Sequence, residues 1–214
     1  MNPFPLILSS PSGGGKTSIA KLLLTRRADV AYSVSCTTRL PRSGEVDGRD
    51  YHFLSTGEFQ AARERGDFAE SAEVHGKMYG TLRREVDKVL TAGRIVLMDI
   101  DVQGARQFTR VFPESVLVFV LPPSASVLLA RLMARKTEST DALRIRLAAA
   151  VEELRAVSAY QYVVVNDDLE RAVASVSSII DAEGARRERV PQLDGMVQHL
   201  VRELTREIDK RSEE

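Results

Sequence analysis

The sequence predicts an α/β fold, a parallel sheet layered between helices, with a small mixed-β lobe inserted into it. Apolar runs alternate with helical patterns along most of the 214 residues, the mark of strands joined by crossover helices. The run Ile95-Val96-Leu97-Met98 is apolar at every position, as a strand covered on both faces requires. Between the second and third such strands, short segments of mixed polarity break the rhythm, and these form the lobe.

The first strand is Pro5–Ser9, within the apolar run that opens at Phe4, and Ile19, Ala20, Leu22, Leu23 and Leu24 give the first helix its apolar face. Between them lies Ser10-Pro11-Ser12-Gly13-Gly14-Gly15-Lys16-Thr17. A glycine-rich turn at a strand-to-helix junction lets backbone N–H groups converge on phosphate oxygens, where the helix N-terminus adds partial positive charge. Lys16 is placed to reach the β- and γ-phosphates of ATP, and the Thr17 hydroxyl to help hold Mg²⁺. This context points to a P-loop NTPase three-layer core. The pattern G-x-x-x-x-G-K-[ST] starts here with Ser10 in place of glycine. A Cβ is costly only where φ is positive or backbones approach closely, so Ser10 is expected at negative φ and tolerated.

The second strand is read as Ala31–Cys36. The lobe has short strands at Tyr51–Leu54, Phe68–Val74 and Lys77–Thr81, and a helix whose start is marked by Ser55 and Glu58 as a capping box. A helix over Arg83–Ala92 leads to a strand at Ile95–Ile100, and another begins near Val102. Val116–Leu121 and Tyr162–Val165 complete the strands, with helices at Ser124–Ala134, Asp141–Ser158 and Leu169 to about Arg187. Lys136–Thr140 is a polar break between two helices. Arg186-Arg187-Glu188-Arg189 reads as a solvated connector. Beyond it Leu193, Val197, Leu200, Leu204 and Ile208 recur at three- and four-residue steps, an amphipathic helix expected to pack back on the core, with a homodimer contact as the alternative.

Thirty basic residues balance thirty acidic ones, so bulk nucleic acid and anionic membrane are not expected partners. Cys36 is the only cysteine, which excludes an internal disulfide and suits a reducing cytoplasm. His52, His75 and His199 lie far apart, without zinc-ligand spacing. No segment has the length and apolarity to span a membrane, and no targeting signal opens the chain.

A second anion site is suggested by Arg39 and Arg42, which flank Pro41, with the Tyr51 hydroxyl as a third donor. On spacing alone, two such arginines are more often solvated charge. Their setting gives them a role. The stretch Ser33-Val34-Ser35-Cys36-Thr37-Thr38-Arg39-Leu40-Pro41-Arg42-Ser43-Gly44-Glu45-Val46-Asp47-Gly48-Arg49-Asp50-Tyr51 resembles the acceptor-binding segment of guanylate kinases, S-x-S-x-T-T-R-x-P-R-x-G-E-x-x-G-x-D-Y, and meets every fixed position. The resemblance continues through Phe68-Ala69-Glu70, Tyr79-Gly80-Thr81, Asp99-Ile100-Asp101-Val102-Gln103-Gly104 and Val165-Asn166-Asp167-Asp168-Leu169, covering residues 5 to 185.

The resemblance implies a guanylate-kinase-like domain over 4–185 and an extension over 186–214. The domain divides into a core (4–32, 94–123, 159–185), a GMP-binding lobe (33–93) and a lid (124–158). It implies that Arg39, Arg42, Tyr51 and Tyr79 hold the phosphate of GMP, while Ser35, Glu70, Thr81 and Asp101 read the guanine. An ionised Glu70 accepts from both the N1–H and the N2 amino group of guanine, whereas adenine would set a lone pair against it. ATP falls to residues 10–17 with Arg131, Arg135 and Asn166. Asp99, at the end of an apolar strand, belongs near the Mg²⁺ shell with Thr17, directly or through water, and Asp101 shares its side of the strand, with the alternative of a helix N-cap. Lys16, Arg39, Asp99 and the lid arginines Arg135 and Arg146 carry the catalysis, with Arg144 reading as a solvated charge. The family's R-G-T lid stretch is Arg135-Lys136-Thr137 here, a departure that leaves the lid backbone open.

The implied reaction is Mg²⁺-dependent phosphoryl transfer from ATP to GMP or dGMP, giving ADP and the diphosphate. Two alternatives stand beside it. A silent guanylate-kinase-like binding module would have no use for Lys16, and a related kinase with another acceptor would have none for Glu70.

Overall fold

The computed structural model describes residues 1–74, 76–133 and 140–212. In chain order the elements are β1 (Pro5–Ser9), α1 (Lys16–Arg26), β2 (Val30–Tyr32), β3 (Cys36–Thr37), β4 (His52–Phe53), α2 (Thr56–Glu64), β5 (Phe68–Val74), β6 (Lys77–Leu82) and α3 (Arg83–Thr91). They continue with β7 (Ile95–Met98), α4 (Val102–Val111), β8 (Val116–Leu121), α5 (Ala125–Met133), α6 (Thr140–Arg155), β9 (Tyr162–Val165), α7 (Leu169–Gly184) and α8 (Leu193–Ser212).

Five strands form the main sheet in the order β2-β7-β1-β8-β9, and every neighbouring pair is parallel. β1 is central, flanked by β7 and β8, and all five of its residues are buried. Its alternation sorts the two faces. Leu6 and Leu8 pack with Ile19 and Leu23 of α1 and Val173 and Val176 of α7. Ile7 turns the other way, to Val86 of α3 and Phe108 of α4. Parallel strands covered by helices on both sides explain why these segments are apolar throughout.

The second sheet, in the order β4-β3-β6-β5, carries its own small core of Cys36, Phe59, Phe68 and Leu82. Phe59 of α2 stacks on Phe68 at a centroid distance of 4.4 Å. α2 starts as the sequence predicts: the Ser55 hydroxyl accepts from the Glu58 amide at 3.2 Å, and the Glu58 carboxylate accepts from the Ser55 amide at 2.8 Å.

Three expectations need correction. The strand read as Ala31–Cys36 is two strands in two sheets. β2 ends at Tyr32 beside Leu97, and Cys36 then pairs with His52 and Gly80. Continuous β-propensity masks this exchange, because the strand pattern does not record which sheet supplies the partner.

In the connector after α7, Arg186, Arg187 and Glu188 are exposed as expected, but Arg189 is not. α7 stops at Gly184, and buried Glu183 accepts hydrogen bonds from the Tyr162 hydroxyl and from Arg189. Arg189 donates onward to the Glu114 carbonyl at 2.9 Å and lies 4.0 Å over the Phe4 ring. The guanidinium is thus paired, stacked and bolted to the core.

Helix α8 buries none of its residues, and Val197, Leu200, Leu204 and Ile208 stay exposed. The expected packing on the core does not occur, since periodicity specifies an apolar stripe but not its partner. Among the described residues no helix is long and apolar enough to cross a membrane.

Candidate active site

The site lies where parallel strands end, the edge at which α/β sheets gather ligand-binding loops. Ser10–Gly15 follows β1, Tyr32 ends β2, Asp99 follows β7, and Asn166 follows β9. Helix α1 opens at Lys16 with no side chain capping its first amides, so its N-terminus is presented to an anion.

Gly15 has φ of 98°, and a Cβ there would fall 2.1 Å from the Asn166 amide nitrogen. That nitrogen donates to the Gly14 carbonyl at 2.9 Å, and Arg131 donates to the Asn166 carbonyl at 3.1 Å. Asn166 and Arg131, both assigned to ATP from sequence, therefore also brace the loop from below. Ser10 avoids positive φ, which among non-glycine described residues belongs to Gln192 alone. Its buried hydroxyl donates to the Pro11 carbonyl at 3.0 Å, and a Cβ on Gly14 would come within 2.7 Å of the Ser10 Cβ. A glycine at 14 thus makes room for the serine at 10. Ser10→Gly is expected to change the KM for ATP by less than about fivefold, the scale of one neutral hydrogen bond; steady-state kinetics with varied ATP checks it.

Asp99 is held at both oxygens. Thr17 donates its hydroxyl to Oδ2 at 2.8 Å, and the Tyr32 hydroxyl donates to Oδ1. Burial pushes the Tyr32 phenol up, and the Asp99 charge pushes it further, so it remains a neutral donor. Thr17 and Asp99 offer two hard oxygens side by side. That fits Mg²⁺, which keeps several waters and completes its shell with phosphate oxygens.

At the second site, Arg39 makes a two-point ion pair with Glu45 at 2.6 and 2.6 Å, and its guanidinium lies 5.0 Å from the centroid of Tyr51 and 5.6 Å from that of Phe53. Glu45 also accepts from the Arg42 amide at 2.7 Å. Pairing with Arg39, aided by that amide, lowers the Glu45 carboxyl to about 2. Glu45 is therefore an anion that fixes the plane of Arg39, while the Arg42 residue is exposed. Tyr79 meets Tyr51 edge-on with centroids 6.2 Å apart.

Glu70 is 8% exposed, and its Oε1 accepts from the Thr81 hydroxyl at 2.7 Å. Ser35 Oγ lies 3.5 Å from Thr81 Oγ1, so three of the predicted guanine readers form one chain. Burial pushes the Glu70 carboxyl up, the Thr81 hydrogen bond opposes this, and Asp101 adds to it. Asp101 caps α4, accepting from the Gly104 amide at 2.7 Å, so the N-cap reading holds for it alongside its place near Glu70.

Helix α6 meets the phosphate loop at Ser12. Arg146 donates to the Ser12 hydroxyl at 2.9 Å, and the Ser12 amide donates to Glu153 at 3.1 Å. Burial raises the Glu153 carboxyl, while the Ser12 amide and the Lys16 charge pull it back. Arg144 is exposed, and Arg135 lies outside the described residues. Sequence reasoning missed Tyr32, Glu45 and Glu153 as site residues. Glu45 was a fixed position of the quoted pattern, and Glu153 lies seven residues beyond Arg146, two helical turns on the same face.

A guanylate kinase family profile matches residues 2–183. The chain belongs to the guanylate kinase family. A guanylate kinase from Nitrosospira multiformis is 45% identical over 202 residues, 94% of each chain. One from Bartonella quintana is 46% identical over 201 residues, 94% of this chain and 90% of its own. Among solved structures, the crystal structure of guanylate kinase from Anaplasma phagocytophilum aligns with a TM-score of 0.73 at 33% identity, over 92% of this chain and 94% of its own. The guanylate kinase resemblance read from residues 5 to 185 thus lies within three residues of the family match at either end.

Proposed function

We propose that this chain transfers the γ-phosphoryl group of ATP to GMP, giving ADP and GDP, and accepts dGMP as well, within purine nucleotide metabolism and GMP recycling. The observation that carries the reading is the chain of buried Glu70 and Thr81 with half-buried Ser35, a polar set matched to guanine, in a molecule whose phosphate loop leads into an uncapped helix. A desolvated carboxylate discriminates sharply, because a base lacking the two donors leaves the charge unpaired.

In this reading Arg39, Arg42, Tyr51 and Tyr79 grip the GMP phosphate. Glu45 and the two rings hold the Arg39 guanidinium in one plane before the ligand arrives, which lowers the ordering cost of binding. Residues 10–17, braced by Asn166 and Arg131, seat ATP, with Lys16, Arg135 and Arg146 offsetting charge on the phosphoryl oxygens. Thr17 and Asp99 would hold Mg²⁺, which supplies charge neutralisation at the β- and γ-phosphates. An oxygen of the GMP phosphate attacks the γ-phosphorus while the bond to the β-bridging oxygen of the departing ADP breaks. The acceptor is already anionic, so neither a general base nor a covalent enzyme intermediate is required. Closure of the lid over 124–158 would exclude water and so suppress hydrolysis of ATP.

The reading places the chain in a reducing cytoplasm. Burial pushes the Cys36 thiol up to about 12, which makes it an inert core residue. The uncovered stripe of α8 would pair with a second copy. Sedimentation velocity should then give a dimer, with Leu204→Glu a monomer of unchanged kcat; a monomeric wild type contradicts the pairing.

The assay for the central reaction is ADP formation with GMP, dGMP, AMP, UMP and CMP as acceptors. The expected result is a kcat/KM for GMP at least ~10³ times that for AMP. Equal rates with AMP, or no ADP formed with GMP, would overturn the reading.

A further inference from the structure

We infer that Glu153 is a positioning residue that clamps the tip of the phosphate loop to helix α6, so that the ATP seat and Arg146 are set together. The inference rests on the loop being the ATP seat. Ser12 is engaged by α6 at both of its polar groups outside the carbonyl. Its amide donates to Glu153 Oε2 at 3.1 Å, and its hydroxyl accepts from Arg146 Nη2 at 2.9 Å.

The two partners are seven residues apart, so they project from one face of the helix, two turns from each other. Between them Ala150 is 2% exposed and packs with Leu128 and Leu132 of α5, which fixes the face that α6 turns inward.

A surface ion pair would leave the loop free to move with the solvent. Here a half-buried carboxylate takes a backbone amide of the loop itself, over 141 residues of sequence separation. The contact needs an oxygen acceptor at the reach of residue 153, and the constraint acts on the loop whose amides must converge on phosphate. Without Glu153, the Ser12 amide loses its acceptor and the joint at Ser12 keeps the hydroxyl arm from Arg146.

The test compares Glu153→Ala, Glu153→Asp and Glu153→Gln with wild type. It measures kcat, both KM values, the Kd for ADP by calorimetry and the thermal unfolding midpoint. Gln keeps an oxygen acceptor at the same reach without the charge, whereas Asp keeps the charge but is one methylene too short. The expected order of ATP KM and ADP Kd is wild type and Gln low, with Asp and Ala raised about 10-fold or more, the scale of one loop amide left without its acceptor. The KM for GMP should stay within about twofold, since the acceptor site is not clamped by this contact.

Unchanged ATP KM in Glu153→Ala would overturn the clamp. So would Gln as defective as Ala with Asp near wild type, or an equal rise in both KM values that follows a lowered unfolding midpoint. Should the Ala variant not fold, the contrast between Asp and Gln decides alone. A wild type that forms no ADP from ATP and GMP defeats the kinase reading, whereas an active wild type whose ATP KM ignores residue 153 defeats only the clamp.

Discussion

Lys16→Ala lowers turnover by at least ~10³-fold and leaves the Kd for GMP unchanged within about twofold. Lys16 is the first residue of α1, at the point where the helix presents its uncapped amides. Those amides remain in the variant, so part of the ATP affinity survives through the loop backbone. In the proposed reading, what disappears is a point charge that reaches the β- and γ-oxygens as charge redistributes during transfer, and single cations in that position account for factors of ~10³ or more. In the proposed reading guanine is recognised by residues 35, 70, 81 and 101, whose hydrogen bonds to one another and to the Gly104 amide do not involve Lys16. A coupled assay of ADP formation with calorimetric titration of GMP separates the two effects. Unchanged turnover would contradict the mechanism, and lost GMP binding would show that the two sites are not separate.

Glu70→Gln reduces the GMP-over-AMP preference in kcat/KM by ~10²-fold or more, with the KM for ATP little altered. The amide replaces one acceptor by a donor, which then faces a donor of guanine and leaves a buried polar group unpaired. The same residue predicts a pH signature. Burial sets the Glu70 carboxyl above its ordinary 4.5, with Thr81 opposing and Asp101 adding to the rise. Protonation therefore removes the ionised acceptor at a pH above the usual carboxylate value, and kcat/KM for GMP should fall on an acid limb that the Gln variant lacks. The sign for stability is opposite. A carboxyl whose folded pKa is raised favours the fold below its unfolded value and loses that contribution as pH rises through the folded one. At pH 7 the ionised Glu70 is a cost carried for recognition, and Glu70→Gln should unfold at a higher temperature than wild type.

Much of this organisation is legible in the sequence because its causes are local. The phosphate loop, the capping box at Ser55 and the bounds of β1, β8 and β9 follow from spacing, turn chemistry and apolar runs that need no distant partner. The misread strand over 31–36 shows where that ends. Ser33 and Cys36 are both buried, and nothing in their alternation marks the switch from one sheet to the other. Yet the switch shapes the candidate site, since it sets Tyr32 on Asp99 and Ser35 beside Thr81.

Two of the three residues missed at the site share this origin. Tyr32 meets Asp99 across 67 residues and Glu153 meets Ser12 across 141, contacts that only the parallel sheet and its crossovers bring about. The resemblance implies that Arg39 is a phosphate ligand, but its fixed plane depends on Glu45, Tyr51 and Phe53 together. The α8 stripe is a different case. Its period was readable, and the structure leaves it uncovered.

The central claim is that two nucleotides lie in line, one on the phosphate loop and one on the second sheet, with their phosphates meeting between them. The most direct measurement is a crystal structure of the chain with GMP and a non-hydrolysable ATP analogue bound together. The account predicts the GMP phosphate on Arg39, Arg42, Tyr51 and Tyr79, its guanine against Glu70, and the analogue's terminal phosphate beside Lys16. A GMP phosphate seated away from all four of those side chains would contradict it.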